Sequence, residues 1–243
     1  MSNPTCAVVI IGNEILSGRT PDENLNHIAR RMSDIGVRFE EARVIPDVVQ
    51  VIVDTLNELR KKHTYVFTTG GIGPTHDDIT MECVAKAFGV GVERHEPTVK
   101  AFEDFYKGKT NEAMLKMAHF PEGADLIPNP LSIAPGFKME NVYCMAGVPK
   151  IMRVMLEAII PTLQRGTEIF SKSIDVFVGE SIISRGFEEI QRHYADVDLG
   201  SYPFRKEGRG CTSLVMRSDN TTSLGNAYKE VISLLNNLEV EYQ

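Results

Sequence analysis

The stretch 67-FTTGGIGPTHDDIT-80 brings Gly70, Gly71 and Gly73 within a few residues of Pro74, Thr75 and the adjacent carboxylates Asp77 and Asp78. Glycines lack the Cβ that keeps a ligand off the main chain. They also tolerate positive φ, so the N–H groups of residues 70–73 can turn toward one point. A helix starting after Asp78 would add the partial positive charge of its N-terminus, and the loop is therefore suited to phosphate. Two carboxylates would repel that phosphate unless a cation stands between them, and a divalent metal held by Asp77 and Asp78 removes the conflict. The plainer alternative is that Asp78 or Thr80 caps the helix, with help from Glu82. This is neither a Walker loop, since no GK[ST] comes after it, nor a GxGxxG fingerprint after the first strand.

Such a loop has to be carried by a sheet. Residues 64–69 form an apolar run ending in Thr68 and Thr69, and a loop leaving there lies at the carboxyl edge of a parallel sheet, where open α/β sheets bind ligands. Upstream, 6-CAVVII-11 is a continuous β-branched run, as expected of a strand covered on both faces. Leu25, Ile28, Ala29, Met32 and Ile35 then recur at helical spacing, with Gly36 as a stop signal. A strand over 37–45 and a helix face of Val48, Val49, Ile52, Leu56 and Leu59 complete a βαβαβ order, which predicts parallel strands with right-handed crossovers.

A third helix is expected from Asp78 to Phe88, and further helices at 97–107 and 111–118. The Pro- and Gly-dense segment 121–149 holds strand-like pieces at 126–127, 136–138 and 142–145, with 137–145 read as a hairpin turning near Glu140 and Asn141. A helix over 149–163 opens on a proline. A boundary is expected at 164–168, then a strand at 172–179, a helix at 180–193, strands near 197–202 and 211–217, and a helix at 222–238. The reading is one domain over 1–165 and a small α+β domain over 168–243.

Of the 243 residues, 42% are hydrophobic and 24% charged, an ordinary globular composition. No window nears the apolar length of a membrane span, and the start lacks the basic region of a signal peptide, so a cytoplasmic protein with no membrane association is expected. The net charge of −7 and the absence of a basic stripe argue against nucleic acid as a partner. Cys6, Cys83, Cys144 and Cys211 are isolated, which suggests reduced core residues and no disulfide framework or zinc site.

TTGGIGPTHDDIT resembles the GGxGP…D signature of the molybdopterin-binding domain family, which includes molybdopterin adenylyltransferase, the competence/damage-inducible protein A group and the amino-terminal domain of eukaryotic FAD synthase. The opening IIGNEILSGRTPDEN is similar to that group's, 129-NPLSIAPGF-137 to its NP…APGF segment, and 144-CMAGVP-149 to its PGVP turn, with Ala146 replacing proline. The resemblance implies a three-layer αβα fold with a mostly parallel sheet, succeeded by a small KH-like domain; no GxxG loop is present there, so RNA binding is not implied. Asp78 matches the aspartate of the adenylyltransferases' metal-phosphate site, and Asp77 a second acid of the competence-protein branch. His76 stands where that branch often has lysine. The resemblance counts Gly12, Glu14, Asp22 and Asn24 among the binding residues: Glu14 matches a glutamate that orients a metal or ring, with helix-entry charge as its alternative role, and Asp22 and Asn24 the acidic-Asn pair opening the first helix, with capping as theirs. Thr69, Gly70, Gly71, Gly73, Pro74, Thr75 and Thr80 belong to the phosphate cradle, and Ser132, Pro135, Gly136, Gly147 and Pro149 to the facing wall.

The resemblance further implies a divalent metal (magnesium, cobalt or nickel) held by Asp77 and Asp78, a nucleotide or pterin phosphate as small-molecule ligand, molybdopterin itself among the ligands, and a homo-oligomer, dimer or trimer. Two activities fit: adenylyl transfer to a pterin phosphate in molybdenum cofactor biosynthesis, and metal-dependent cleavage of a dinucleotide pyrophosphate such as ADP-ribose or FAD. GNEILSG, THDDIT and APGF occurring together with the extra tail favour cleavage. A noncatalytic binder and a purely structural role for the glycines are the competing expectations. Neither deamidation nor FAD synthesis is expected, because no amidohydrolase or FAD-synthase catalytic domain is recognised.

Overall fold

A computed structural model describes residues 3–243. They divide into two compact units, one ending at Gly166 and one spanning Thr167–Gln243. Among the described residues no helix is long and apolar enough to cross a membrane.

The first unit is built on a six-stranded sheet. Its strands are β1 (Thr5–Ile11), β2 (Arg38–Ile45), β3 (Tyr65–Thr69), β6 (Asp125–Ile127), β7 (Gly136–Met139) and β8 (Val142–Met145), in the order β2-β1-β3-β8-β7-β6. β2, β1, β3 and β8 pair in parallel, whereas β7 runs antiparallel to both neighbours. The expected hairpin is present, and Glu140 takes its tight turn with φ +49. Successive side chains of a strand point to opposite faces, and β1 shows why its run has no polar gap. Cys6, Val8 and Ile10 pack with α2 (Asn24–Asp34) and α7 (Pro149–Ile159). Ala7, Val9 and Ile11 pack with α3 (Val49–Lys62) and α4 (Thr80–Phe88). Both faces are dry, and the result is the three-layer αβα arrangement.

Two features were not legible from periodicity. A short helix α1 (Asn13–Leu16) comes directly after β1, and a separate pair, β4 (Val92–Arg94) and β5 (His119–Pro121), flanks α5 (Glu96–Tyr106) and α6 (Glu112–Lys116). β4 is exposed throughout and only three residues long, so it leaves no alternating pattern to read. α5 and α6 share a small core of Val99, Phe102 and Ala118.

The second unit contains β9 (Phe170–Val176), α8 (Glu180–His193), β10 (Asp198–Lys206), β11 (Arg209–Ser218) and α9 (Thr221–Asn237). Its antiparallel sheet has the order β10-β11-β9. Ile183, Phe187 and Ile190 of α8 and Leu224, Ala227, Val231 and Leu235 of α9 close a core over Ile174, Val176, Leu214 and Met216. This is an α+β unit with its own interior.

Candidate functional site

β1 and β3 are hydrogen-bonded neighbours, with Ile10 opposite Thr69, yet their continuations part. The chain after β1 reaches α2 on one face of the sheet and the chain after β3 reaches α4 on the other. Divergence at adjacent carboxyl ends opens a crevice. A cleft of about 510 Å³ lies there, within the range of small-molecule sites.

The glycines make the cleft's inner corner. Gly70 has φ +100 and its amide donates to Met145 O at 3.1 Å, while a Cβ there would stand 2.1 Å from Ile11 O. Gly70 lines the cleft but its N–H is already used, so the amides of 70–73 do not all converge on a ligand as expected, and the free ones begin at Gly71. Gly71 has φ +69, and a side chain on it would strike Thr80 Oγ1, itself bonded to Gly70 O at 3.0 Å. The amides of Gly71, Ile72 and Gly73 take no hydrogen-bond partner among the described residues. Three unpaired donors on consecutive residues bordering a cleft are the arrangement that receives an anion.

α4 begins at Thr80 with no side-chain cap, so neither Asp78 nor Thr80 is its N-cap. Instead Asp78 closes the preceding loop: its Oδ2 accepts from Thr75 N at 2.8 Å and from Thr75 Oγ1, and its Oδ1 has no hydrogen-bond partner among the described residues. Asp78 lines the cleft, and Glu14 lines it as well. Asp77 does not; its carboxylate is largely exposed and accepts from Thr75 Oγ1, a bond that holds its pKa below the ordinary value. Of the two acids expected to hold a metal, Asp78 lines the cleft and Asp77 lies beside it on the same Thr75 hydroxyl, while Glu14 is a further carboxylate in the cleft lining. His76 faces solvent.

The remaining expected residues separate in the same way. Pro74, Ser132, Pro135, Gly147 and Pro149 line the cleft. Gly12, Asp22, Asn24, Thr69, Thr75, Thr80 and Gly136 do not, and each has a supporting task. Gly12 leaves the space that the Glu14 carboxylate fills, since a Cβ would sit 2.6 Å from its Oε1. Asp22 accepts from Leu25 N at 2.8 Å at the start of α2. Buried Asn24 donates to Gly147 O at 2.8 Å and holds the Ala146–Gly147 turn against the cleft. Thr69 is buried at the end of β3. Gly136 packs beneath Cys144 O, where a Cβ would be 2.5 Å away.

Several cleft residues escaped sequence reasoning. Asn129 is buried and ties up the far wall, donating to Ser132 Oγ at 2.6 Å and Ala134 O at 2.8 Å while accepting from Leu131 N at 3.1 Å. Within that wall Ile133 is held at φ +63, a costly conformation for a β-branched residue. Met117, Ile72, Ile151 and Met155 supply apolar surface. The cleft thus combines an apolar wall with a corner of free main-chain donors, the usual make-up of a small-molecule site.

Among the described residues no group of three or more His, Cys, Asp or Glu side chains could hold a metal on its own. A magnesium-type cation is usually held by one or two carboxylates together with waters and the substrate's own phosphates, and Asp78, with Oδ1 free at the cleft, is a carboxylate of that kind.

Residues 7–165 match the family model described as "probable molybdopterin binding domain", and residues 168–243 that described as "FAD synthase, middle domain". The chain is 31% identical over 224 residues to a CinA-like protein of Kosmotoga olearia, covering 88% of this chain and 54% of that one, so it spans about half the length of this relative. It is 33% identical over 200 residues to a protein of Archaeoglobus fulgidus, covering 81% and 84% of the two chains. The crystal structure of CinA, a protein of unknown function from Thermoplasma acidophilum, superposes with a TM-score of 0.62 at 30% identity over 66% of this chain and 98% of that one.

Proposed function

The chain belongs to the molybdopterin-binding domain family and is CinA-like, and from that premise we propose that its cleft binds a nucleotide or pterin phosphate and hydrolyses a dinucleotide pyrophosphate of the ADP-ribose or FAD type. The observation that carries the reading is the meeting, in one cleft, of three unpartnered amides at Gly71, Ile72 and Gly73 with the carboxylates of Asp78 and Glu14.

The amides donate to nonbridging phosphoryl oxygens and are fixed before the ligand arrives, so they stabilise developing charge without reorganising. Met117, Ile151 and Met155 hold the ring portion and orient the pyrophosphate toward the loop. Asp78 keeps Thr75 in place with Oδ2 and leaves Oδ1 for the bound group. Glu14, packed over Gly12 and lining the same cleft, orients the attacking water. Water oxygen bonds to phosphorus, the bridging P–O bond breaks, and two phosphate monoesters leave. Held by Asp78 and the pyrophosphate oxygens, a divalent cation would neutralise the pyrophosphate's charge.

The test is turnover of ADP-ribose and FAD with magnesium, cobalt or nickel. AMP release by the wild type and its loss by at least about 100-fold in Glu14→Gln at unchanged melting temperature is the expected result. Tight calorimetric binding without product would select a noncatalytic binder, and neither binding nor product would sink the reading.

A further inference from the structure

The glycine loop contributes two acids and, with His76 in solvent, no cation of its own. A cation reaches it from elsewhere. Lys116, the last residue of α6, donates through Nζ to Thr75 O at 2.9 Å and to Asp78 O at 2.8 Å. An ammonium has three N–H donors, so one is left over. Its charge acts on Asp77 only as the last of the causes that lower that carboxyl, and the Asp78 carboxylate lines the same recess. The side chain is half-buried. Together with Gly71, Ile72, Gly73 and Asp78 it lines a recess of about 20 Å³ beside the main cleft. That is room for roughly one oxygen-sized atom.

The half-buried ammonium is bonded only to neutral carbonyls and keeps one N–H, and three amides beside it also lack acceptors, so four donors stand without a partner in a recess whose one carboxylate is that of Asp78. Partly buried donors without acceptors are unfavourable, and phosphoryl oxygens would supply the acceptors they lack. We propose that Lys116 is a phosphate-binding residue of the cleft, its third N–H sharing a phosphoryl oxygen with the amides of Gly71 to Gly73. The proposal rests on the phosphate reading above and names the cation that reading otherwise lacks. α5 and α6 then have a functional reason to be inserted between β4 and β5: they deliver Lys116 and Met117 to the cleft.

Calorimetric titration of ADP-ribose into the full chain, without metal and again with magnesium, tests this in the wild type, Lys116→Met and Lys116→Arg. Loss of one charge-assisted contact is expected to weaken binding about 10- to 100-fold in Lys116→Met, with Lys116→Arg recovering part of it. Raising salt from about 0.05 to about 0.5 M should weaken the wild type more than Lys116→Met, because the methionine variant has lost a charge to screen. An affinity loss with wild-type salt dependence would make Lys116 a loop clamp only and overturn the proposal. Wild-type affinity in Lys116→Met would overturn it too, while leaving the phosphate cleft standing. A wild type that binds no ADP-ribose either without metal or with magnesium would overturn both.

Discussion

At the scale of single residues, the glycines of the loop are not equivalent, and substitution separates their tasks. Gly70 combines φ +100 with main-chain contact to Ile11 O, so the clash in Gly70→Ala cannot be relieved by moving a flexible side chain. We expect a loss of about 2–4 kcal/mol in stability, read by denaturant unfolding. At Gly73 the φ is unremarkable and a Cβ would meet the Asp78 carboxylate at 2.7 Å. Gly73→Ala should therefore displace Asp78, weaken phosphate binding about tenfold or more, and leave unfolding nearly unchanged. A variant series in which both substitutions cost stability alike would contradict this division. The sequence disclosed the glycines and Asp78 because their residue types carry the chemistry directly. It could not disclose Lys116, whose sequence distance of 38 to 41 residues from its partners is bridged only by the folded α5–α6 segment. Asn129 was hidden for a related reason: an asparagine before proline signals a turn, and only the fold shows that this turn is a wall of the cleft.

At the scale of elements, α2, α3, α8 and α9 were legible because each has a continuous apolar stripe, and β1 because both its faces are covered. β2 shows the opposite case. It is an edge of the sheet, alternates between exposed and half-buried positions, and carries Arg38, Glu40, Glu41 and Arg43. Charged side chains on an edge discourage pairing with another chain. Glu41 also binds the edge to α3, accepting from Lys62 Nζ at 2.6 Å and from Arg43 Nε at 2.7 Å. Lys62 first and Arg43 second lower its pKa from 4.5 to about 2. A carboxylate depressed by folding contributes stability above its unfolded pKa, and that contribution is lost as pH falls through the folded value. The window is thus from about pH 4.5 down to about pH 2. Glu41→Gln should melt lower than the wild type at about pH 6, and the two melting curves should converge as pH approaches about 2. A constant difference across that range would show that Glu41 acts through packing and not through charge.

At the scale of the whole molecule, the chain has two units that each enclose an interior: the paired cores on either face of the β1 sheet, and the core beneath α8 and α9. Every residue lining the cleft lies between Glu14 and Met155 and so within the first unit. A unit with its own core is able to fold alone, and one of the second unit's size stands near the lower limit for doing so. A fragment of residues 1–166 is accordingly expected to bind ADP-ribose with the affinity of the full chain, within about threefold, and a fragment of residues 167–243 to give a dispersed amide spectrum but no response to the ligand. Because a ligand raises the stability only of the native state it binds, calorimetry of the full chain should show two unfolding transitions, of which ADP-ribose moves one. If instead a single transition moved as a whole, or the larger fragment bound more than about tenfold more weakly, the second unit would have a part in the site that the residues of the cleft do not by themselves require.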